Sequence, residues 1–234
     1  FPYTTLFRSY NFKNLDGVED VSPVDEIYSV KAVSGKYSAS LRIIGMEPEF
    51  LKKLGYELES GRFLESGDKF NILCGGKVPL NFQKSSKRRY YYGDDSQKEK
   101  KANVDVLKDK IKISVDSSYG ETKKTSETSS SGATTKKVEP HDVKFIGILK
   151  MGNEDMYNES DYSCYMNIEQ IKKLKAEQKK INKNKNRYYP DEDNSGGYNQ
   201  IYVKCKDIDS VKKVAKKIKD MGYNEYYQGQ WLET

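Results

Sequence analysis

The 234-residue sequence contains no apolar run that approaches the ~20 residues of a membrane-spanning helix. It has only three cysteines, one histidine and one tryptophan. Cys74, Cys164 and Cys205 are widely spaced and form no C-x-x-C pair, which argues against a structural zinc site and a dense disulfide framework. Cys74 and Cys205 lie in strand-like runs, and we interpret them as small buried apolar residues. One cysteine pair remains a candidate for a disulfide outside the cell.

The sequence also lacks the common catalytic patterns G-x-S-x-G, H-E-x-x-H and the P-loop. His141 is a candidate general base, but a single loop histidine is more often only solvated. Gly75-Gly76-Lys77 lacks the rest of a nucleotide loop and predicts a turn. Residues 191–194 are acidic but lack EF-hand spacing, so we interpret them as a linker. We therefore expect no catalytic, cofactor-binding or metal-binding residues, and no enzyme activity.

The formal net charge of +6 is concentrated in one segment. Residues 84–137 carry 14 Lys and Arg against 8 Asp and Glu, whereas the rest of the chain has 27 of each sign. Because nucleic-acid binding needs organised positive charge, this balance argues against a nucleic-acid partner.

Residues 84–103 and 117–140 break the pattern of the flanking strands, and we expect 117–140 to be disordered or a mobile loop. Arg88 to Tyr92 interleaves cations with aromatics and suits bases or acidic polymers, although a solvated loop is the simpler interpretation.

Alternating apolar residues and turn residues predict strands at 18–21, 27–33, 37–44, 70–74 and within 104–115. Ser34-Gly35-Lys36 predicts a hairpin turn between two of them. A further short strand is predicted from Tyr223 to Tyr227.

Two helices have clear boundary signals. Asn167 is a candidate cap of the first helix, and Gln170 would complete a capping box. The second helix is predicted to begin at Asp207 or Asp209 and to end at Gly222. Its predicted buried face comprises Ile208, Val211, Val214, Ala215, Ile218 and Met221.

The stretch from Ile43 to Asp68 reads IIGMEPEFLKKLGYELESGRFLESGD. A strand ends at Gly45, and Pro48 begins a short helix, where its missing amide would have no partner. This order resembles the extracytoplasmic core domain of ABC-transporter permeases of the macrolide-exporter type, related to the FtsX and lipoprotein-release permeases. In that family an apolar-apolar-Gly strand leads to a P-x-[FY] helix, an L-x-x-G-R-x-[FL] segment and an acidic turn.

Four further segments resemble the family in the same order, at residues 15–23, 143–149, 165–171 and 199–222. The positions that match the family motifs, which we expect to be structural, are Gly45, Pro48, Gly61, Arg62, Phe63 and Gly147. Arg62 is expected to cap a helix end or to pair with a carboxylate.

The predicted fold class is α+β, with a porter-like sheet-and-helix subdomain that is interrupted by a β-rich second subdomain with a disordered insert. Residues 1–9 match a translated sequencing-library adapter, and we interpret them as an adapter-derived artefact. Residues 10–83 and 143–234 are predicted to be the two parts of the core domain, with 84–142 as the β-rich, low-complexity insert.

The resemblance implies a non-catalytic extracellular domain between the first two membrane helices of a permease, both of which lie outside the chain. Its implied partners are a cytoplasmic ABC ATPase, which binds the ATP, a second permease in a dimer, and an extracellular adaptor or peptide substrate. The abundant Lys, Asn, Tyr and Ile favour an AT-rich genome and a Gram-positive bacterium, with the domain on the outer side of the cell membrane. The alternative is a secreted or surface-anchored module that binds anionic envelope polymers or a protein.

Overall fold

The structure is a computed structural model that describes residues 11–84, 101–120, 138–153, 157–184, 198 and 200–227. The chain divides into two compact units. The first is built from both ends of the chain, up to Val24 and from Asp191 onward, and the second runs from Asp25 to Pro190. No helix of the described ranges is long and apolar enough to cross a membrane.

Several predictions concern residues outside the described ranges. They are the adapter-derived segment 1–9, the cation–aromatic segment 88–92, the acidic linker 191–194, and most of the stretches 84–103 and 117–140. These stay predictions, as do the predicted domain bounds.

Six strands form a closed, barrel-like ring in the second unit, to which β1 (Val18–Ser34) contributes its part from Asp25 onward. β1 pairs with β2 (Tyr37–Met46), then follow β8 (Ser163–Asn167), β4 (Asn71–Cys74), β7 (His141–Leu149) and β6 (Ile111–Ser114), which pairs again with β1. The pairs β2–β8 and β4–β7 are parallel, and the others are antiparallel. Among the described residues, ring closure pairs each of these strands on both sides within the second unit, so the ring has no open edge of the kind that recruits other chains.

Two short strands extend the ring. β3 (Leu58–Gly61) pairs with β7, and β5 (Gln83–Lys84) pairs with β2. The hairpin predicted at Ser34-Gly35-Lys36 is confirmed, because Ser34 pairs with Tyr37 and Gly35 takes a positive φ of 54°. Glycine adopts this left-handed conformation without a steric cost.

One hydrophobic cluster forms the core of the second unit. Each large apolar side chain that is fully buried contributes roughly 1.5–3 kcal/mol relative to exposure. The cluster joins ring residues such as Val30, Ile43, Ile72 and Ile113 to Ile171 and Leu174 of the helix α2 (Ile168–Asn184). Val104 and Val106, which lie in the predicted insert, are also buried in this core.

Strand β1 is longer than predicted. Residues 18–21 and 27–33 were expected to be separate strands, but β1 continues through Pro23, which lies opposite Ile201 of β9 (Gln200–Cys205). Among the described residues, positions 18–24 pair with β9 and with no other strand. Proline is tolerated in such an edge segment, because the amide that it lacks is not needed on the unpaired side. A bulge at Tyr28 and Ser29, where Ser29 has a φ of 59°, then shifts the register with β2.

The first unit pairs the beginning of β1 with β9 and packs helix α3 (Ile208–Asp220) against them. Asp207 caps α3, since its carboxylate accepts a 2.8 Å hydrogen bond from the Ser210 amide. At the other end, the Gly222 amide donates to Lys219 and the Tyr223 amide to Ile218, with Gly222 at a φ of 85°. This is the Schellman arrangement that ends many helices at glycine.

Two predictions about this region are wrong. Ile208 is 85% exposed and Met221 is 42% exposed, so the buried face of α3 is narrower than predicted. Its buried residues are Val214 and Ile218, because the apolar cluster that they join is small and, among the described residues, has only Phe12, Val18 and Val21 as its other buried members. The stretch from Tyr223 to Tyr227 forms no strand.

Helix α2 begins as predicted. The Asn167 side chain accepts a 3.1 Å hydrogen bond from the Glu169 amide, which confirms it as the cap. Gln170 is buried and accepts from Lys173 rather than completing a capping box with Asn167.

Candidate functional site

Two motif segments that are distant in sequence cross at a pair of glycines. Gly61 of β3 lies opposite Gly147 of β7, and the Arg62 amide donates a 2.8 Å hydrogen bond to the Ile146 carbonyl. A Cβ atom at Gly61 would lie 2.2 Å from the Ile146 oxygen, and one at Gly147 would lie 2.4 Å from the Arg62 oxygen. Because both neighbours are backbone atoms, this glycine crossing accepts no side chain at either position.

A third glycine, Gly45, allows a helix to pack closely against the sheet. A Cβ atom at Gly45 of β2 would lie 2.4 Å from Cγ1 of Ile171 and 3.2 Å from the Cα of Ile168, so α2 packs directly on the β2 backbone. Pro48, three residues later, is buried and is the first residue of helix α1 (Pro48–Lys52). The structure thus joins the Gly45 motif to the segment 165–171.

The loop after the glycine crossing is organised by one ion pair. The Arg62 guanidinium donates two 2.8 Å hydrogen bonds, one to each carboxylate oxygen of Asp68. Its Nη1 also donates to the Phe63 carbonyl at 2.9 Å, while Phe63 itself is half-buried. Of the two expected roles of Arg62, the structure shows the pairing with a carboxylate. A bidentate ion pair of this kind fixes the relative orientation of the two side chains and also pairs their charges.

Asp68 is the centre of this loop. Besides the two bonds from Arg62, it accepts hydrogen bonds from the Glu65 amide at 2.9 Å and from Asn71 Nδ2 at 2.7 Å. The hydrogen bonds from Arg62 are the main reason that the pKa of Asp68 falls from 3.8 to about 2. The carboxylate is therefore held charged and serves as a structural anchor rather than as a proton donor near neutral pH.

His141 differs from its expected state. It is the first residue of β7, its ring stacks on Phe70 at 4.4 Å between centroids, and its Nε2 lies 2.9 Å from a carboxylate oxygen of Glu177. It is therefore a packed strand residue instead of a solvated loop histidine. Within the described ranges, no group of three or more His, Cys, Asp or Glu residues is placed to hold a metal ion.

The cysteines occupy two different environments. Cys74 and Cys164 are completely buried in the core of the second unit, whereas Cys205 is only partly buried in the first unit. The interpretation as a buried apolar residue is correct for Cys74 and wrong for Cys205. Cys205 is the last residue of β9, a strand in which no residue is fully buried.

Sequence reasoning missed an exposed aromatic surface beside Gly75 and Gly76. The Tyr157 and Tyr162 rings stack at 5.6 Å, and the Lys77 ammonium lies 5.2 Å from the Tyr162 ring centre. Tyr157 is 80% exposed. Tyr162 ends a short 3-10 helix (Glu159–Tyr162) and Tyr157 precedes it, so no periodic pattern marks them. Only the number of tyrosines in a polar stretch could have signalled a surface of the type found at protein interfaces.

No protein-family model and no curated protein sequence matches the chain. Among solved structures, the fold is that of the extracellular domains of ABC-transporter permeases. The chain is similar to the extracellular domain of the noncanonic ABC-type transporter YknZ from Gram-positive bacteria, with 14% identity and a TM-score of 0.51 over 96% of this chain and 87% of that one. The resemblance inferred from the sequence is thereby confirmed at the level of the fold.

Two other solved structures are also similar. The periplasmic region of MacB from Actinobacillus actinomycetemcomitans has 12% identity and a TM-score of 0.48, covering 93% of this chain and 73% of that one. A domain assigned to a permease protein from Porphyromonas gingivalis has 14% identity and a TM-score of 0.45, covering 92% and 67%.

The glycine crossing predicts a sharp difference between two Gly→Ala substitutions. Gly147→Ala should lower the free energy of unfolding by about 2 kcal/mol or more, because its methyl group would overlap the Arg62 carbonyl. Gly67→Ala is the matched control, since a Cβ atom there meets no other atom within 4 Å, and it should change stability by less than about 0.5 kcal/mol. Urea unfolding measures both, and equal stabilities would contradict the account of the crossing.

The Asp68 anchor predicts a specific loss of stability in acid. Since its pKa is lowered on folding, its contribution is present above pH 3.8 and is lost as the pH falls towards about 2. Relative to Asp68→Asn, the wild type should lose about 1 kcal/mol over this range, less than the full shift implies because the Arg62 side chain is 45% exposed. Glu65→Gln is the control. The Glu65 carboxylate lies 4.0 Å from the Arg62 guanidinium, beyond hydrogen-bond distance, so this variant should lose stability in acid as the wild type does. Parallel pH profiles for wild type and Asp68→Asn would refute the anchor.

Proposed function

We propose that the chain is the extracellular domain of an ABC-transporter permease, located between the first and second membrane helices. The observation that carries the proposal is the fold shared with the YknZ extracellular domain over 96% of the chain. The order of the sequence motifs supports it independently, because the motifs belong to the sequence and not to the fold.

The division into units supports the finer arrangement as well. The first unit contains both ends of the chain and combines strands with helix α3, while the second, β-rich unit is inserted between its two parts. This division supports the proposed arrangement, in which a porter-like subdomain is interrupted by a β-rich one. Membrane helices attached at the two ends of the chain would both continue from the first unit.

In this proposal the domain performs no covalent chemistry. A separate cytoplasmic ATPase hydrolyses ATP, two permeases form a dimer, and motion of the membrane helices reaches the outer domains. The domain then pushes or gates a substrate such as a peptide, drug, lipid or lipoprotein, or an adaptor protein. The carboxylate-anchored loop at Arg62 and the glycine crossing give the second unit fixed elements on which such a force can act.

Thiol labelling in intact cells tests the location of the domain. Gly67→Cys, introduced into the protein with its native flanking sequences, places a thiol in an exposed loop with open space around it. A membrane-impermeant maleimide should label this variant in intact cells, and the labelled protein should remain with the membrane fraction after a salt wash.

The protein without the introduced cysteine is the control, because Cys74, Cys164 and Cys205 of this chain are buried or partly buried. Labelling only after the cells are lysed would overturn the extracellular location. Labelling in intact cells followed by release in the salt wash would overturn the permease and favour a surface-attached binding module.

A further inference from the structure

Two cysteines face each other across neighbouring strands of the ring. Cys74, the last residue of β4, is paired in register with Cys164 of β8, and the two strands run antiparallel. The Gly75 amide donates a 2.9 Å hydrogen bond to the Ser163 carbonyl. Cys74 and Cys164 therefore occupy the non-hydrogen-bonded type of position, in which opposite residues come closest, at a Cα separation of about 4.5 Å.

This type of position suits a disulfide bond. Disulfides need a Cα separation of roughly 4.4–6.8 Å, with both Cβ atoms directed to the same side, and directly opposite residues of an antiparallel pair project from the same face of a sheet. Both thiols are completely buried and belong to the same hydrophobic cluster. They are free thiols in the structure.

We propose that Cys74 and Cys164 form a cross-strand disulfide when the chain folds under oxidising conditions. The inference rests on the proposed extracellular location, because disulfides persist outside the cytoplasm. The bond closes a loop of about 90 residues, a length at which a cross-link strongly restricts the unfolded chain. It would join β4 to β8 within the ring.

The reaction is an ordinary thiol–disulfide exchange. One cysteine, as its thiolate, attacks a disulfide oxidant of protein or small-molecule type and forms a mixed disulfide, and the second thiolate then displaces the oxidant's remaining thiol. Overall, the two cysteines lose two protons and two electrons and gain one Sγ–Sγ bond. The oxidant is reduced to two thiols.

Burial determines when this reaction can occur. Burial raises the pKa of Cys74 to about 12, and burial together with the neighbouring Cys74 raises the pKa of Cys164 well above its ordinary value. Since the thiolate is the reactive species, a folded and reduced protein should react slowly. The bond therefore forms while the chain folds, before β4 and β8 are enclosed.

Oxidative refolding of the 234-residue chain tests the proposal. The chain is unfolded with reductant, refolded with reduced and oxidised glutathione, quenched with acid, unfolded again, and treated with a maleimide. One alkylated thiol, at Cys205, is expected, together with a peptide map that links Cys74 to Cys164. Three alkylated thiols, or a link that includes Cys205, would overturn the proposal.

Two substitutions serve as matched controls. Cys205→Ser should retain the Cys74–Cys164 link, because Cys205 belongs to the other unit. Cys74→Ser should abolish the link and leave Cys164 alkylated. Retention of a link in Cys74→Ser would show that the pairing is wrong.

A second measurement needs no variant. The oxidised wild-type chain should have a Tm about 5–15 °C higher than the reduced chain. A bond that forms without raising the Tm would contradict the geometry inferred from the strand register. Refolding requires no membrane, so its outcome is independent of the labelling experiment, and a failure of the disulfide is distinguishable from a failure of the permease proposal.

Discussion

Backbone pairing along β1 is the constraint on which the rest of the structure depends. This strand pairs with β2 and β6 in the second unit and with β9 in the first, and the boundary between the units falls within it. Pairing with β6 closes the ring, and an open ring would leave two strand edges exposed. The bulge at Tyr28 and Ser29 and the proline at position 23 are local departures that this long strand accommodates.

Close approach of backbones is the second constraint. Three motif glycines lie where another backbone or a helix side chain occupies the space that a Cβ atom would need: Gly45, Gly61 and Gly147. At these three positions, the motif that resembles the permease family reflects the packing of this fold. Arg62 extends the same logic into the following loop, because its pairing with Asp68 fixes the chain direction after the crossing.

Local patterns in the sequence predicted most elements, because alternation and end signals depend on neighbouring residues. The Asn167 cap, the hairpin at Gly35 and helix α3 follow such patterns. The remaining features, which the sequence did not predict, depend on contacts between segments that are distant in the sequence. The exposure of Ile208 depends on how α3 packs against the apolar cluster of the first unit, and the contact of His141 with Glu177 depends on the folding of distant segments. The sequence likewise suggested a carboxylate partner for Arg62 but not its identity.

The central claim is that this fold serves as the outer domain of a membrane permease. The most direct measurement is long-read sequencing of the locus, with translation of the reading frame on both sides of residues 10–234. The account predicts one apolar segment of about 20 residues before the domain and three after it. A frame that stops soon after Thr234, or that continues into polar repeats, would contradict the account and leave the binding module in its place.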